Sequence, residues 1–412
     1  MKPIVTVIGL GYVGFPLACA IAASKKYTVY GLIRNLETAR KINQKMVNII
    51  ATTDPGRCLP KSDYIVICVP TPIFPDYSPD LRPIIESSTL ISRYIKKGQS
   101  IILESTVSPG ISEELILPIL EKSGLKGGVD FDLSHCPERI NPGDKKWNVY
   151  NIPRNIGSLT KKGNKKAAKF YRSFLKAKVF ELDAIKEAES TKIVENAFRD
   201  LNIAFVNELA KSFDKMDINL VKVLQASANK PFAFLSHSPG CGVGGHCIAV
   251  DPYYLIERAR TFGFNHALLK MARNINNSMP LYTVELLLKA LKDKKISPEK
   301  IKIGLLGLSY KQNIPDTRES PSFKVIDLLK RHNLSYETFD PYVLAESSMK
   351  DLGELLRRCK AIIVCTAHKE FKSSLTGKFL ESYQVAIVID GRNCLDMGDI
   401  KKHQIYYKGI GR

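Results

Sequence analysis

The sequence lacks the marks of a disulfide framework or a zinc site. Its nine cysteines, Cys19, Cys58, Cys68, Cys136, Cys241, Cys247, Cys359, Cys365 and Cys394, are odd in number, scattered, and include no Cys-x-x-Cys pair. Several sit inside apolar runs, as Cys68 does after Tyr64-Ile65-Val66-Ile67, and read as small buried hydrophobes of a reducing compartment. Cys241, His246 and Cys247 have no fourth ligand at zinc-like spacing, so no metal is expected. No apolar run approaches the ~20 residues of a membrane span. Lys2-Pro3 leads straight into an apolar strand pattern, unlike a signal peptide. Short-period repeats, low-complexity segments and a long disordered tail are also absent. These absences predict a cytoplasmic protein without membrane insertion.

Acid is scarce relative to base: 41 Asp and Glu stand against 61 Lys and Arg, a net charge of +20. Such a field attracts nucleic acid or anionic nucleotides alike. The lysines are spread along the chain, and the clusters at 161–169 and 292–302 carry no interleaved aromatics. Both read as solvated helix ends or linkers, so no nucleic-acid partner is expected.

What is present is ordinary globular composition, 44% hydrophobic and 25% charged, in a 412-residue chain too long for one core. Over 1–182, apolar runs at Ile4–Ile8, Tyr27–Ile33, Tyr64–Val69, Ser100–Leu103 and Lys178–Leu182 alternate with helical stretches. That alternation predicts a parallel α/β sheet of the Rossmann type. The stretch 183–293 opens without proline, and Ala197, Leu201, Ala204, Phe205 and Leu209 recur at helical spacing. It predicts a central helical domain with Asp183 as N-cap, interrupted by a Gly/Pro-rich loop at 236–246. From 294 to 412 a second Rossmann-like block follows, with strands near Ile301, Ser335–Phe339, Ala361–Cys365 and Val385–Ile389.

Gly9, Gly11 and Gly14 form G-x-G-x-x-G between a strand and a helix, with Tyr12 and Val13 inside the turn. This is the turn that lets a backbone approach a pyrophosphate at a helix N-terminus, and it predicts a dinucleotide cofactor. The acid expected at the end of the second strand is missing, because Gly31-Leu32-Ile33-Arg34-Asn35 contains none. Arg34 either meets a 2′-phosphate or faces solvent, which leaves NAD and NADP both open.

The most informative stretch is Gly244-Gly245-His246-Cys247-Ile248-Ala249-Val250-Asp251. It places one candidate nucleophile, Cys247, behind two glycines, with the carboxylate of Asp251 four residues on. A thiol together with a nicotinamide site suggests aldehyde-level oxidation through a thioester. Lys192 and Asn196 are four apart in the long helix, hence on one face, where an ammonium and an amide suit an oxyanion. Thr106 follows a strand in Glu104-Ser105-Thr106, at the carboxyl edge where ligands bind. Glu138 is either a base or water-orienting group, or an ion-pair partner of Arg139.

With these residues in view, the chain resembles the UDP-glucose/GDP-mannose dehydrogenase family over essentially its whole length. The matching motifs are GLGYVG at 9–14, VPTP at 69–72, ESTVSPG at 104–110, PERINPG at 137–143, KIVENAFRD at 192–200, GVGGHCIAVDPYYL at 242–255, LGLSYKQNIPDTRESP at 306–321 and DGRN at 390–393. PERINPGDKK and the cysteine loop resemble the subgroup acting on UDP-N-acetylhexosamines more than UDP-glucose enzymes.

The resemblance implies NAD-dependent, four-electron oxidation of the C6 alcohol of a UDP-N-acetylhexosamine to a uronic acid, for surface polysaccharide. UDP-GlcNAc ranks first as substrate. UDP-glucose, or nucleotide-sugar binding without turnover, is the alternative. It implies a thiohemiacetal and thioester on Cys247, water activation by Asp251 with Thr106 and Glu138 beside it, and oxyanion stabilisation by Lys192 and Asn196. Cofactor contacts fall to Gly9, Gly11, Tyr12, Val13, Gly14, Arg34, Pro70, Thr71, Ser105 and Thr106. Substrate contacts fall to Glu138, Arg139, Lys192, Asn196, Gly244, Gly245, Tyr310, Lys311, Arg318 and Arg392, with Arg273 a weaker candidate. The long central helix would carry a homodimer interface. The sequence departs from the family at the missing acid and in a shortened stretch between Gly31 and Asp63.

Overall fold

The computed structural model describes residues 2–46, 48–74, 76–140, 146–245 and 247–412. Two compact units emerge: Met1–Glu195 with Tyr253–Phe264, and Asn196–Pro252 with Asn265–Arg412. The division falls inside one long helix, Ile185–Lys215.

In the first unit an eight-stranded sheet comprises β1 (Ile4–Ile8), β2 (Thr28–Leu32), β3 (Ile50–Thr52), β4 (Tyr64–Ile67), β5 (Ser100–Leu103), β6 (Asp132–His135), β7 (Arg154–Ser158) and β8 (Val179–Glu181). Their order is β3-β2-β1-β4-β5-β6-β7-β8. Strands β4 and β5 are uninterrupted apolar or small runs, buried throughout or nearly so, as a parallel sheet covered on both faces requires. Ile8 pairs with both Leu32 and Ile67, so the carboxyl ends of β1, β2 and β4 lie level. The order reverses between β1 and β4, and that crevice is where such sheets bind ligands.

Three strands escape the apolar-run reading. β3 has only three residues, while β6 (Asp-Leu-Ser-His) and β7 (Arg-Asn-Ile-Gly-Ser) are half polar. β6 and β7 also pair antiparallel, the exception in a sheet expected to be parallel. The helix Lys161–Arg172 buries Ala167, Ala168, Phe170 and Tyr171 and turns Lys161, Lys162, Lys165 and Lys169 outward. The first lysine cluster is thus the solvated face of an amphipathic helix.

The second unit holds β9 (Lys302–Leu306), β10 (Ser335–Phe339), β11 (Ala361–Val364), β12 (Ile387–Asp390) and β13 (Tyr406–Gly409), all parallel in the order β10-β9-β11-β12-β13. The helix Ala267–Asp293 shares a core with this sheet, Leu287 and Leu291 lying in one buried cluster with Ile303 and Ile389. The central stretch resolves into helices Ile185–Lys215, Leu220–Ser227, Asp251–Thr261 and Ala267–Asp293. Asp183 is not the cap of the first. Glu187 reaches back instead, accepting the backbone N–H of Asp183 and of Ala184. No helix among the described residues is long and apolar enough to cross a membrane.

Candidate active site

A cavity of about 810 Å³ opens at the switch point of the first sheet, lined by Gly9, Gly11, Leu32, Arg34, Val69 and Pro70 among others. The glycines make it. A Cβ on Gly9, whose φ is +88°, would stand 2.7 Å from the Cys68 carbonyl oxygen, and one on Gly14 would collide with the Gly9 carbonyl. Above Gly11 there is open space, and helix Gly14–Ala23 begins there. The turn is therefore closed by packing and open on the ligand side, which fits a pyrophosphate lying against a helix N-terminus. Tyr12 is exposed and Val13 half-buried in the same turn. Thr71 accepts the Tyr254 hydroxyl through its carbonyl at 2.8 Å, and Ser105 Oγ donates to the Val69 carbonyl at 2.7 Å. Arg34 faces solvent, and there it is ion-paired with Glu86 of helix Arg82–Ser92, which lines the same cavity.

Beside the cavity, Thr106 follows β5 on a loop held from two sides. The buried Glu189 accepts Gly110 N–H at 2.5 Å and Ser112 N–H at 2.8 Å. The buried Glu104 accepts the Tyr171 hydroxyl at 2.5 Å and Arg154 Nη1 at 3.2 Å. Glu189 lies three residues before Lys192 on the long helix, so one helix face carries both a candidate catalytic lysine and the clamp on the Thr106 loop. No motif paired Glu104 with Arg154, or Glu189 with the Gly110–Ser112 turn, because in each case the partners come from separate elements.

Glu138 is buried, and its carboxylate turns back onto the Ile140 N–H. The alternative of an ion pair with Arg139 does not occur. Arg139 pairs with Glu195 at 2.5 Å and donates to the Pro153 carbonyl at 3.1 Å. The remainder of PERINPG, Asn141 to Gly143, lies outside the described residues, as does His246.

His135, two residues before the Cys136-Pro137-Glu138 run, was not flagged by sequence. It is fully buried, and neither ring nitrogen has a hydrogen-bond partner among the described residues. Burial first, and then the charge of Lys192, bring its pKa down to about 3. A depressed folded-state value means the unfolded chain takes the proton first. This contribution to stability is complete above pH ~6.5 and disappears as pH falls toward 3. Glu189 works oppositely. Burial raises its pKa to about 7, so the stability it contributes below pH ~4.5 is lost as pH rises toward 7. The two oppose each other between pH ~4.5 and ~6.5, and below that window the His135 term acts alone. His135→Leu is accordingly expected to flatten the fall of Tm below pH ~4.5 by several degrees relative to wild type, measured by thermal melts across pH. A parallel fall in both proteins would remove His135 as the cause.

In the second unit the cysteine loop is built on backbone. Cys247 is exposed, and its carbonyl accepts Val250 N–H at 3.2 Å and Asp251 N–H at 2.8 Å, a turn feeding directly into helix Asp251–Thr261. Asp251 is buried, and Asn196 Nδ2 donates to its Oδ2 at 2.6 Å. Sequence gave these two residues separate roles; the fold joins them across 55 positions.

Gly245, with a φ of +86°, is a packing requirement, whereas Gly240 meets only the flexible end of Arg392. A Cβ on Gly245 would stand 2.6 Å from the Tyr310 ring, and one on Gly240 2.7 Å from Arg392 Nη1. Gly245 N–H also donates to the Arg318 carbonyl at 3.1 Å. Thus Tyr310, Arg318, Gly244, Gly245 and Cys247 come together, with Lys311 half-buried next to Tyr310. The Arg318 guanidinium is held flat by two bonds to Asp316, at 2.9 and 2.6 Å. Arg392 Nε donates to the Cys365 carbonyl at 2.7 Å. Arg273, by contrast, is buried and ion-paired with Asp200 at 2.6 Å, joining two helices.

All nine cysteines are thiols. Burial pushes Cys136 and Cys359 up to about 12, which makes them poor nucleophiles. Cys241 is sealed in the core as well, where its thiol donates to the Cys365 carbonyl at 3.4 Å. No group of three or more His, Cys, Asp or Glu suited to a metal ion occurs among the described residues.

The second sheet, unlike the first, does have an acid just after its second strand, Asp340, but holds it internally. Its Oδ2 accepts the Leu308 and Ser309 N–H groups at 2.8 Å, the Ser309 hydroxyl at 2.6 Å and His368 Nε2 at 3.1 Å. That carboxylate, whose Oδ1 also accepts Tyr342 N–H at 2.8 Å, closes the turn after β9 and is fully buried, out of reach of a ribose. One unit is thus fitted for a dinucleotide, and the other carries an exposed thiol four residues before an oriented, buried carboxylate.

This is the equipment of a nucleotide-dependent dehydrogenase. Residues 34–175, 186–278 and 304–397 match, in turn, the NAD binding, central and UDP binding domains of the UDP-glucose/GDP-mannose dehydrogenase family. The chain belongs to that family and is an NAD-dependent dehydrogenase. It is 37% identical over 389 residues to a UDP-N-acetyl-D-glucosamine 6-dehydrogenase of Pseudomonas aeruginosa, covering 90% of this chain and 91% of that one. It is 35% identical over 426 residues to a UDP-N-acetyl-D-mannosamine dehydrogenase of Pyrococcus horikoshii, covering 99% of each. Among solved structures, a UDP-D-ManNAc dehydrogenase from Pyrococcus horikoshii superposes with a TM-score of 0.91 at 33% identity, over 99% of both chains.

Proposed function

We propose that the protein is a UDP-N-acetylhexosamine 6-dehydrogenase, with UDP-GlcNAc ranked first among substrates. The observation that carries this reading is the exposed Cys247 on a turn that leads to an Asn196-held Asp251 and is fastened to Tyr310 and Arg318. NAD⁺, when bound, accepts an electron pair in each of two oxidations. The remaining chemistry falls to side chains. Cys247 Sγ adds to the C6 aldehyde, forming a thiohemiacetal that becomes a thioester on the second oxidation. Asp251 directs water at that thioester, releasing the carboxylate and regenerating the thiol. Lys192 and Asn196 stabilise the oxyanions, while Thr106 and Glu138 order the water. Tyr310, Lys311, Arg318 and Arg392 hold the nucleotide-sugar.

We retain 1–182, 183–293 and 294–412 as functional segments for cofactor, catalysis and UDP-sugar. Phe198 and Phe205, seven apart on the long helix and both about half exposed, support a homodimer through that helix. A cytoplasmic enzyme supplying surface polysaccharide follows from the same reading. The names of the relatives above and the PERINPGDKK segment favour an N-acetylhexosamine over UDP-glucose.

The test is absorbance at 340 nm with NAD⁺ and, in turn, UDP-GlcNAc, UDP-ManNAc, UDP-GalNAc and UDP-glucose. Two NADH per uronic acid with an N-acetylhexosamine is the expected result, and turnover of UDP-glucose alone would overturn it. Arg318→Ala is expected to raise KM for the UDP-sugar by roughly 10- to 100-fold, since a charge-assisted bond is worth ~1.5–3 kcal/mol. KM for NAD⁺ should stay within about twofold. The reverse pattern would move the sugar nucleotide out of this domain.

A further inference from the structure

The adenosine end of the cofactor cavity poses a problem that the sequence alone leaves open. A dinucleotide whose pyrophosphate lies on the Gly9–Gly14 turn runs toward the end of β2, where its ribose ordinarily meets a strand-end carboxylate. Here that strand ends Leu32-Ile33-Arg34, and Ile33 lines the cavity where the acid is expected. A carboxylate is nevertheless present. Glu86, from helix Arg82–Ser92, lines the same cavity, and Arg34 binds it across 52 positions of sequence.

We propose that Glu86, tethered by Arg34, replaces the missing strand-end acid and is the residue that selects NAD⁺ over NADP⁺. The bland alternative is a solvated surface pair, since both side chains are more than half exposed and such pairs contribute little to stability. Position argues for more. Both partners line the cavity with Ile33 and Asn35 just after β2, Thr38 of helix Leu36–Lys45, and Ser87 and Leu90 of helix Arg82–Ser92.

The pair therefore spans the two walls between which the adenosine must lie. Arg34 engages Oε2 of Glu86 alone, so the carboxylate keeps acceptor capacity for ribose hydroxyl donors. A 2′-phosphate would meet the Glu86 carboxylate, and Arg34 at the strand end is already paired with it, which leaves Arg93 as the other guanidinium lining the cavity. Arg34 on its own reads as an NADP signal. Coupled to Glu86 it becomes the opposite.

The inference concerns the cofactor site alone and does not depend on which sugar is oxidised. Its test is equilibrium binding by titration calorimetry, with NAD⁺ and NADP⁺ separately and no sugar present. Wild type is expected to bind NAD⁺ at least about tenfold tighter than NADP⁺, the size of one partly screened charge contact. Glu86→Gln keeps the shape but releases Arg34, so NADP⁺ should tighten roughly tenfold while NAD⁺ weakens several-fold. The double variant Arg34→Ala with Glu86→Gln should lose the NADP⁺ gain, assigning it to the released guanidinium. Both positions are exposed, so folding is not at stake, and circular dichroism confirms it. Equal binding of the two cofactors by wild type, or an unchanged ratio in Glu86→Gln, would overturn the proposal. Failure of every UDP-sugar in the 340 nm assay would sink the functional reading and leave this binding result standing.

Discussion

Replacing Cys247 with serine is expected to lower formation of uronic acid by at least about 10³-fold while leaving UDP-sugar affinity within a few-fold of wild type. Cysteine is intrinsically nucleophilic and reaches its thiolate near neutral pH, whereas a serine hydroxyl stays protonated at that pH and is a far weaker nucleophile. The loop should survive the exchange. It is set by the Cys247 carbonyl accepting two backbone N–H groups and by Gly245 against Tyr310, none of which involves the sulfur. Calorimetric titration with the UDP-sugar separates binding from turnover, and product analysis counts electrons per sugar. A serine variant that still makes uronic acid near the wild-type rate would end the covalent mechanism.

Lys192→Ala is expected to cost kcat roughly 10²–10³-fold with KM for the UDP-sugar changed less than about threefold. An ammonium is worth most where negative charge develops, so its loss falls on the transition state more than on bound substrate. The surroundings of Lys192 support this placing. It is half-buried, near enough to His135 to help hold that ring neutral, and one turn after the Glu189 clamp on the Thr106 loop. Steady-state kinetics decide it: an effect confined to KM would make Lys192 a ground-state binding residue. Glu189 is a complicating neighbour, because its carboxyl near a pKa of about 7 titrates in the working range. The comparison with wild type is therefore best made at two pH values on either side of 7.

Much of the molecule was legible from local patterns. Ser335–Phe339 is a strand at the bounds expected from sequence, and the glycine turn after β1 packs as closely as its spacing implied. Residues whose identity is dictated within a few positions read well, since a close backbone approach admits only glycine and a two-sided buried strand admits only apolar side chains. Short or half-polar elements did not read. β3, β6, β7 and β13 carry too few apolar residues for their own period, and they form because neighbouring strands supply their hydrogen bonds. The cap of the long helix was misassigned for a related reason. Asp183 and Glu187 both suit a helix start, and only the backbone direction selects the reach-back from Glu187.

By itself the sequence determined the two nucleotide-binding-like sheets, the glycine turn, and the identities of Cys247, Asp251, Lys192 and Asn196 as candidate chemistry. Each of these is a matter of spacing within about a dozen residues, where propensity and turn stereochemistry act. Tertiary structure alone decided who holds whom. Asn196 orients Asp251 from 55 positions away, Glu189 secures the loop at Gly110 and Ser112 from almost 80, and Arg34 brings in Glu86 from 52. Such partnerships leave no periodic trace, because a carboxylate on one element and its donor on another meet only after the apolar faces between them have packed.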